Sequence, residues 1–460
     1  MSDRRLMRFQ HNPTNGDMNI ESTLPSIERS TALLERCEAV IPARTQTLAK
    51  GPGQYVRGVS PVFAQRGKGA HLWDVDGNRY LDYTMAVGPL VLGYGHDAVN
   101  DAIREQLADG ITFSLMHPLE VEVAEQIQSM VPGIEMVRYS KTGCDVTTAA
   151  VRLARAYTGR STVLCCGYHG WHDWYIGTTD RSLGIPQAVK DLTYTFTFND
   201  IESVRQSIDS DTAAIILEPM VVDEPHETFL HELRELCTQH GIVLIFDEMW
   251  TGFRIARGGA QERFGVQADL VCYSKAIANG MPLSVLAGKA DIMRLLDKDV
   301  FFFTTFGGEA LSLAAAKATM HVIATESVLA TIEHRGDHLR DQIQSLIADI
   351  GIDWLSIKGL GSRTMLAIAR PLDEALLVKS FIHQELLRYG ILWNGFHNLS
   401  LAHTENDIAH TLEAYDDVLP RLLDLVSAGR LAEHIKGTPM EPVFRRTGNF
   451  NTKPRQGATA

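Results

Sequence analysis

Asp247 and Lys275 each follow a short apolar run, Asp247 directly after Ile242–Phe246 and Lys275 two residues past the end of Leu270–Tyr273. Short runs of branched and aromatic residues bounded by polar turns read as fully buried parallel strands. In an open α/β sheet the chemistry lies just beyond the carboxyl ends of such strands. An acid and a lysine placed there together supply an amine nucleophile and a fixed negative charge. Pyridoxal phosphate requires that pair, the amine for its Schiff base and the carboxylate for its pyridinium nitrogen. Lys275 opens a turn of small residues, Ala276 to Pro282, where desolvation lowers an amine's pKa and makes it nucleophilic. A buried Asp247 must be partnered, because a bare carboxylate in an apolar setting is costly. Helix N-terminal amides, Arg254 and a pyridinium nitrogen would each serve. Glu248 should point to the opposite side and take a salt bridge.

A phosphate needs a cradle. Ser140 to Asp145 (SKTGCD) follows the expected strand Met136–Tyr139 and leads into a stretch with helical periodicity. Gly143 and Cys144 then sit at a helix N-terminus, with free N–H groups and the positive end of the dipole. A plain turn capped by Thr142 or Asp145 fits the same residues. Tyr168, in GYHG after the run Thr162–Cys166, could stack on a flat heterocycle or be a buried structural tyrosine. His169 and His172 could act as general bases or simply satisfy hydrogen bonds. Competing motifs fail on inspection. KGLGSR (358–363) has G-x-G, but Thr364 leaves the dinucleotide fingerprint incomplete, and His231 lies five residues after His226 where a zinc motif needs four. Val62 stands where a P-loop ending at Gly67-Lys68 needs its first glycine, and no G-x-S-x-G elbow occurs.

The elements that must hold these residues alternate from about residue 96 onward. Expected helices are His96–Leu107, Pro118–Met130, Asp145–Tyr157 and Glu227–His240. Between them fall strands Met136–Tyr139, Thr162–Cys166, Ala213–Leu217, Ile242–Phe246 and Leu270–Tyr273. Strand and helix in alternation predict a mostly parallel, doubly wound sheet. Asp76-Gly77, inside the alternating stretch Ala70–Tyr83, predicts a hairpin. One long helical run is expected from Leu311 to about Ile350. The division predicted is an N-terminal arm and part of a small domain over 1–95, a large cofactor-binding domain over 96–310, a C-terminal small domain over 311–430 and an irregular tail over 431–460.

The 460 residues are 45% hydrophobic and 22% charged, as expected of a globular protein with more than one core. Lys plus Arg number 43 against 56 Asp plus Glu, a net charge of -13, which argues against nucleic acid as a partner. No apolar stretch is long enough for a membrane span, and the first residues lack the apolar core of a signal peptide. Six scattered cysteines without a CxxC read as buried thiols in a reducing compartment, with no structural metal expected. A cytoplasmic location follows as the expectation.

Taken in order, RGKGAHLWDVDGNRYLDY, AAVRLARAYTGR, GYHG, EP, FDEMWTGFR, SKAIANGMPL and TTFGGEALS resemble the class III, fold-type-I pyridoxal-phosphate-dependent aminotransferases. The resemblance runs from about Gly51 to Leu423. GPLVLGYGH, GGAQERFGV and SLAHTENDI are most similar to the glutamate-1-semialdehyde aminomutase branch. It implies a large α/β domain with a seven-stranded type of sheet between helices, and a smaller α+β domain from the N- and C-terminal segments. It implies Lys275 as the Schiff-base lysine and Asp247 as the partner of the pyridine nitrogen. Gly143 and Cys144 amides would hold the phosphate, with Tyr168 on one face of the ring and Met249 on the other. Glu218, in EP, would line the site. Thr305 would reach the phosphate in a neighbouring subunit, which implies a homodimer with shared sites. The activity implied is ping-pong transfer of an amino group from a donor, glutamate by default, to a carbonyl acceptor. Intramolecular transfer by an aminomutase is the alternative, and a non-catalytic binding protein on the same fold a remote one. Departures from the aminomutase pattern favour transfer between molecules. Val87 stands where the aminomutases carry a tryptophan at the mouth, Cys144 replaces a hydroxyl residue, and the gating segment His172–Pro186 is shorter. Arg57, Arg254 and His397 could meet a substrate carboxylate, although each reads more readily as structural.

Overall fold

A computed structural model describes residues 23–442 and 451–455. Residues 1–22, the start of the N-terminal arm expected within 1–95, therefore lie outside the described residues. Strands β1 (Ala64–Lys68), β2 (His71–Asp74) and β3 (Arg79–Asp82) form an antiparallel meander. Its β2–β3 hairpin turns at Asp76-Gly77, where Asp74 Oδ1 accepts from the amides of Asp76 (3.0 Å) and Asn78 (2.8 Å). A side chain that bonds its own backbone two residues on is what makes aspartate a turn former.

The central sheet contains β4 (Met136–Ser140), β5 (Thr162–Cys166), β6 (Thr193–Thr195), β7 (Thr212–Leu217), β8 (Val243–Asp247), β9 (Leu270–Tyr273) and β10 (Ser284–Gly288). Their order is β4-β10-β9-β8-β7-β5-β6, and every pairing is parallel except the two made by β10. Strands β6 and β10 are additions to those expected. The first is short and polar, and the second is an antiparallel insert between β4 and β9.

Both faces of this sheet are buried. Val163, Cys165, Ala214, Ile216, Val243 and Ile245 meet Val146, Ala150 and Leu153 of the helix Gly143–Thr158. Leu164, Ile215, Leu217, Leu244 and Phe246 pack on the other side with Leu233 and Cys237 of the helix Phe229–His240. Each such aliphatic side chain gains roughly 1.5–3 kcal/mol by leaving water. Several together fix the register of β8, and a one-residue slip would exchange its two face sets and carry Asp247 off the sheet end.

The helical run after Leu311 is two helices, Ala310–Thr325 and Val328–Ile350. Glu326 is extended (φ -117°, ψ 161°), which turns the chain between them. Beyond lie β11 (Leu355–Leu360), β12 (Arg363–Ile368), β13 (Ile391–Leu392) and β14 (Phe396–Asn398). Strands β11, β12 and β14 make a separate sheet, and β13 joins the N-terminal meander by pairing parallel to β3. Residues 451–455 run beside the edge strand β6, with Thr195 N donating to Lys453 O (2.9 Å) and Lys453 N donating to Thr195 Oγ1 (2.7 Å). An otherwise bare strand edge is thereby covered. Among the described residues no helix is long and apolar enough to cross a membrane.

Candidate active site

Strands β4, β5, β7, β8 and β9 all present their carboxyl ends at the same edge of the sheet, because β4 and β9 both run antiparallel to the β10 between them. Gly143 and Cys144 follow β4, Tyr168 and His169 follow β5, Glu218 follows β7, Asp247 closes β8 and Lys275 follows β9. Asp247 pairs with Cys272 across β8 and β9, which sets the acid and the lysine on neighbouring strand ends. Lys275 has a left-handed backbone (φ 49°) at the start of the turn Lys275–Ala278. Non-glycine residues held there are strained and concentrate at functional sites.

Asp247 is buried. Its Oδ2 is 2.7 Å from His169 Nδ1, and its Oδ1 accepts from Met249 N at 3.1 Å. Arg254, one of the partners the sequence allowed, is elsewhere. It donates to the carbonyls of Leu399 (2.9 Å) and Gly88 (2.5 Å) from a buried position, and burial pulls its pKa down to about 9. Among the described residues Glu248 takes no salt bridge. It accepts from the amides of Ala260 (2.6 Å) and Gln261 (3.3 Å) and from Thr251 Oγ1 (2.9 Å), and burial pushes its carboxyl up to about 7. Orphan amides at a helix start, unseen in the sequence pattern, replaced the cation expected there.

Burial holds the Lys275 amine below the usual lysine range, with Arg363 and Arg254 acting in the same direction and Glu218 and Asp247 opposing. Burial and the nearby Asp247 raise the Glu218 carboxyl, whose Oε1 accepts from Tyr168 N at 2.6 Å. A neutral amine is the form that attacks an aldehyde.

Gly143 and Cys144 open the helix Gly143–Thr158, so their amides have no carbonyl one turn back within it. Asp145 Oδ2 accepts from Thr142 N (2.9 Å) and Ser140 Oγ (2.7 Å), pinning the turn. Lys141 Nζ bonds Glu309 Oε2 (2.8 Å), and Glu309 caps the helix Ala310–Thr325. A Cβ on Gly143 would come within 2.8 Å of Met249 Sδ, and one on Gly170 within 2.4 Å of Cys144 Cβ. The turn, Met249 and the loop after β5 therefore close on one another, and only glycines permit it. Tyr168 keeps 51% of its surface exposed at this edge. Thr305 is exposed too, in a turn beside exposed Phe303 and Phe306. Cys144, Asp145 and His172 place one ligand-type atom each within 4.8 Å of one another. All three are engaged: Cys144 Sγ lies 3.0 Å from Thr142 Oγ1, and His172 Nδ1 lies 2.7 Å from Thr148 Oγ1. The anion cradle, the lysine and the acid fit pyridoxal phosphate, and Gly143, Cys144, Tyr168, Asp247, Met249 and Lys275 could hold it.

The rim holds a second strained segment. Met85, Ala86 and Val87 are consecutive left-handed residues (φ 44°, 55° and 71°), followed by Gly88 at φ 100°. Trp250 lies against this turn, since a Cβ on Gly88 would be 3.1 Å from its Cδ1. Two other carboxylate candidates are occupied. Arg57 pairs with Glu441 (3.0 Å), and His397 lies buried between Thr364 Oγ1 and Tyr415 OH, each at 2.9 Å. Sequence reading missed His169 as the partner of Asp247; its place just after a buried strand was the available signal.

The family model for class-III aminotransferases matches residues 54–406. A 3-aminobutyryl-CoA aminotransferase of Cloacimonas acidaminovorans is 33% identical over 408 residues, covering 85% of this chain and 97% of the relative. A glutamate-1-semialdehyde 2,1-aminomutase of Syntrophobacter fumaroxidans is 34% identical over 430 residues, covering 86% and 99%. The solved structure of Sphingopyxis sp. MTA144 FumI, in its pyridoxal phosphate internal aldimine form, superposes with a TM-score of 0.81 at 30% identity, covering 87% of this chain and 98% of that one. An omega-transaminase from Sphaerobacter thermophilus gives 0.78 at 27% identity, covering 86% and 98%. The chain belongs to the class-III aminotransferases. It has the fold-type-I architecture and is a pyridoxal-phosphate-dependent transaminase.

Proposed function

We propose that this enzyme moves an amino group from a donor amine to a separate carbonyl acceptor in two half-reactions, with glutamate the default donor. The observation that carries the reading is the adjacency of Asp247 and Lys275 on paired strands, one held by His169 and the other desolvated. Pyridoxal phosphate, when bound, supplies the electron sink that lets the amino group leave one carbon and join another. The amides of Gly143 and Cys144 would hold its phosphate, Tyr168 and Met249 would bracket its ring, and Glu218 would line the site beside it. Asp247 would supply a fixed negative charge to the ring nitrogen, where positive charge must persist. Lys275 would anchor the cofactor, and its Nζ would serve as the base and acid that moves a proton between substrate atoms.

The working unit in this reading is a homodimer, with Thr305 reaching the partner's phosphate. Phe301, Phe303 and Phe306 around it are 74%, 55% and 58% exposed, an apolar surface that a second copy would cover. Six scattered, buried cysteines with no CxxC support a cytoplasmic, reducing setting in this reading. Transfer within one molecule, as in an aminomutase, is the second reading, favoured by the relatives of that name. Val87 at the mouth and the shorter 172–186 segment support the first.

Purified protein should absorb in the near-visible and lose that band when an amine donor is added without acceptor. Lys275→Ala should abolish both the band and the activity; retention of both would end this reading. Glutamate-1-semialdehyde supplied alone should not be converted, and its rearrangement without co-substrate would transfer the case to the aminomutase.

A further inference from the structure

Residues 451–455 do more than cover the edge of β6. Thr452 Oγ1 donates to Thr178 O (2.8 Å), and Lys453 Nζ donates to the carbonyls of Lys190 and Thr193, the latter at 3.0 Å. Thr178 and Lys190 are the two stems of one surface loop, which ends in the short helix Gln187–Lys190. The stems lie close together, since a Cβ on Gly177 would stand 3.3 Å from Lys190 Cα. Between them the chain is mostly exposed, Leu183 entirely so. Two adjacent side chains therefore hold both ends of the loop. Their segment is itself fastened on either side: Asn451 Nδ2 donates to Thr197 Oγ1 (3.1 Å), and Arg455 donates to Ser207 O (3.2 Å) and pairs with Asp209. The Tyr194 ring faces both cations, 4.7 Å from Lys453 Nζ and 5.0 Å from the Arg455 guanidinium carbon.

The first stem leads to the active-site edge. Thr178 is buried, and its Oγ1 donates to Tyr175 O (2.7 Å) in the single-turn helix Asp173–Ile176. Tyr175 is buried too, and its OH donates to Gly167 O (2.9 Å), at the start of the turn that carries Tyr168 and His169. Its ring meets both of theirs edge to face, 5.6 Å from Tyr168 and 5.3 Å from His169, and Trp174 stacks on His169 at 6.0 Å. Gly167 (φ 116°) and Gly170 (φ 103°) bound this turn, so its backbone has a freedom that contacts from outside must remove. Close-packed rings and buried hydrogen bonds can do so because they leave little slack.

We propose that Thr452 and Lys453 are positioning residues of the active site. By clasping both stems of the loop 178–190 they hold Tyr175, and through it set Tyr168 for the cofactor ring and His169 for Asp247. The inference rests on the assignment of Tyr168 and Asp247 to pyridoxal phosphate in the proposed function. Loss of the clasp should loosen the loop first and the cofactor second.

The test uses the full-length holoenzyme carrying Thr452→Val, Lys453→Met or both, with Thr452→Ser as the conservative control. Hydrogen exchange read by mass spectrometry should quicken about 10-fold across 178–190, and by less in the peptide carrying Gly167 to His169. Bound cofactor should be lost about 3- to 10-fold faster on dilution. The pH midpoint of its visible band should move in the same direction as in His169→Phe, and Thr452→Ser should behave as the native protein does. Because the effect runs through Tyr175, adding the clasp substitutions to Tyr175→Phe should weaken cofactor retention little further. Faster exchange in the loop with the cofactor's retention and band unchanged would show a structural strap only and overturn the proposal. Unchanged exchange in the loop would overturn it as well. If Tyr168→Ala and Asp247→Asn leave cofactor binding untouched while the clasp variants still quicken exchange at Gly167 to His169, the assignment of the cofactor site falls and the clasp stands.

Discussion

His169 Nδ1 and Asp247 Oδ2 lie 2.7 Å apart, and both side chains are closed to solvent. The bond ties the loop after β5 to the end of β8, so the carboxylate proposed to face the ring nitrogen is aimed by a residue from another strand. Asp247→Asn, which removes the charge, should lower kcat/KM by about 10³-fold. His169→Phe leaves the charge but frees it to turn, and should cost about 10- to 100-fold, the worth of one charge-assisted hydrogen bond. Steady-state kinetics separate the two. A shift in the pH dependence of the bound cofactor's visible band in His169→Phe marks its role as positioning.

Burial makes Lys275 nucleophilic at a lower pH than a free lysine. Capture of added pyridoxal phosphate by the apoprotein, followed by stopped-flow absorbance, should rise with pH and level off below the ordinary lysine pKa of 10.5. Glu218 pulls the lysine the other way, so Glu218→Gln should move that midpoint lower still. A midpoint that rises in the variant would contradict this arrangement.

Stability should fall on mild acidification for a reason unrelated to catalysis. Burial lowers the imidazole of His397 to about 3 and those of His403 and His383 to about 4, each against an ordinary value of 6.5. The unfolded chain binds protons in that window and the folded chain does not, so the stabilisation is complete above 6.5 and is lost as pH falls towards 4. Each histidine contributes a slope of about 1.4 kcal/mol per pH unit. Urea midpoints measured across pH 4 to 7 would read the combined slope, and His383→Gln should flatten it by one histidine's share.

The turn Met85–Ala86–Val87 stores backbone strain at the rim. Ala86→Gly should relieve about 1 kcal/mol of it, a gain visible as a raised thermal midpoint. An ordinary helix-interior alanine changed to glycine would lower the midpoint instead.

Much of the catalytic edge was legible because burial on both faces leaves a strong signature. Leu270–Tyr273 appears as read, and the strand before Asp247 is displaced by one residue so that the acid itself closes the ladder. The helix after Ser140 begins at Gly143 in place of Asp145, since Thr142 and Asp145 cap it together. Other features depended on partners the sequence does not announce. Glu248 looked like a salt-bridging acid because nothing in the chain marks the amides it caps. Arg363 lay inside a motif rejected as a dinucleotide loop, and the Trp250 and Phe396 rings it packs against come from segments distant in the chain. Strand β6 has too few apolar residues to stand out, and its pairing with residues 451–455 joins segments far apart in the chain.

Among the described residues strand β4 touches the sheet through β10 alone, and Ser140 pairs with Ser284, with all of β5 to β9 between them in the chain. Lys275 lies in the connection from β9 to β10. The closing of that antiparallel pair therefore seats the lysine and creates the docking edge for the anion cradle in one event. Such distant pairings carry a loop-closure cost that is met late in folding. A partly folded chain has neither the amine nor the cradle in place, so cofactor capture reports completed folding and gives little help to the steps before it.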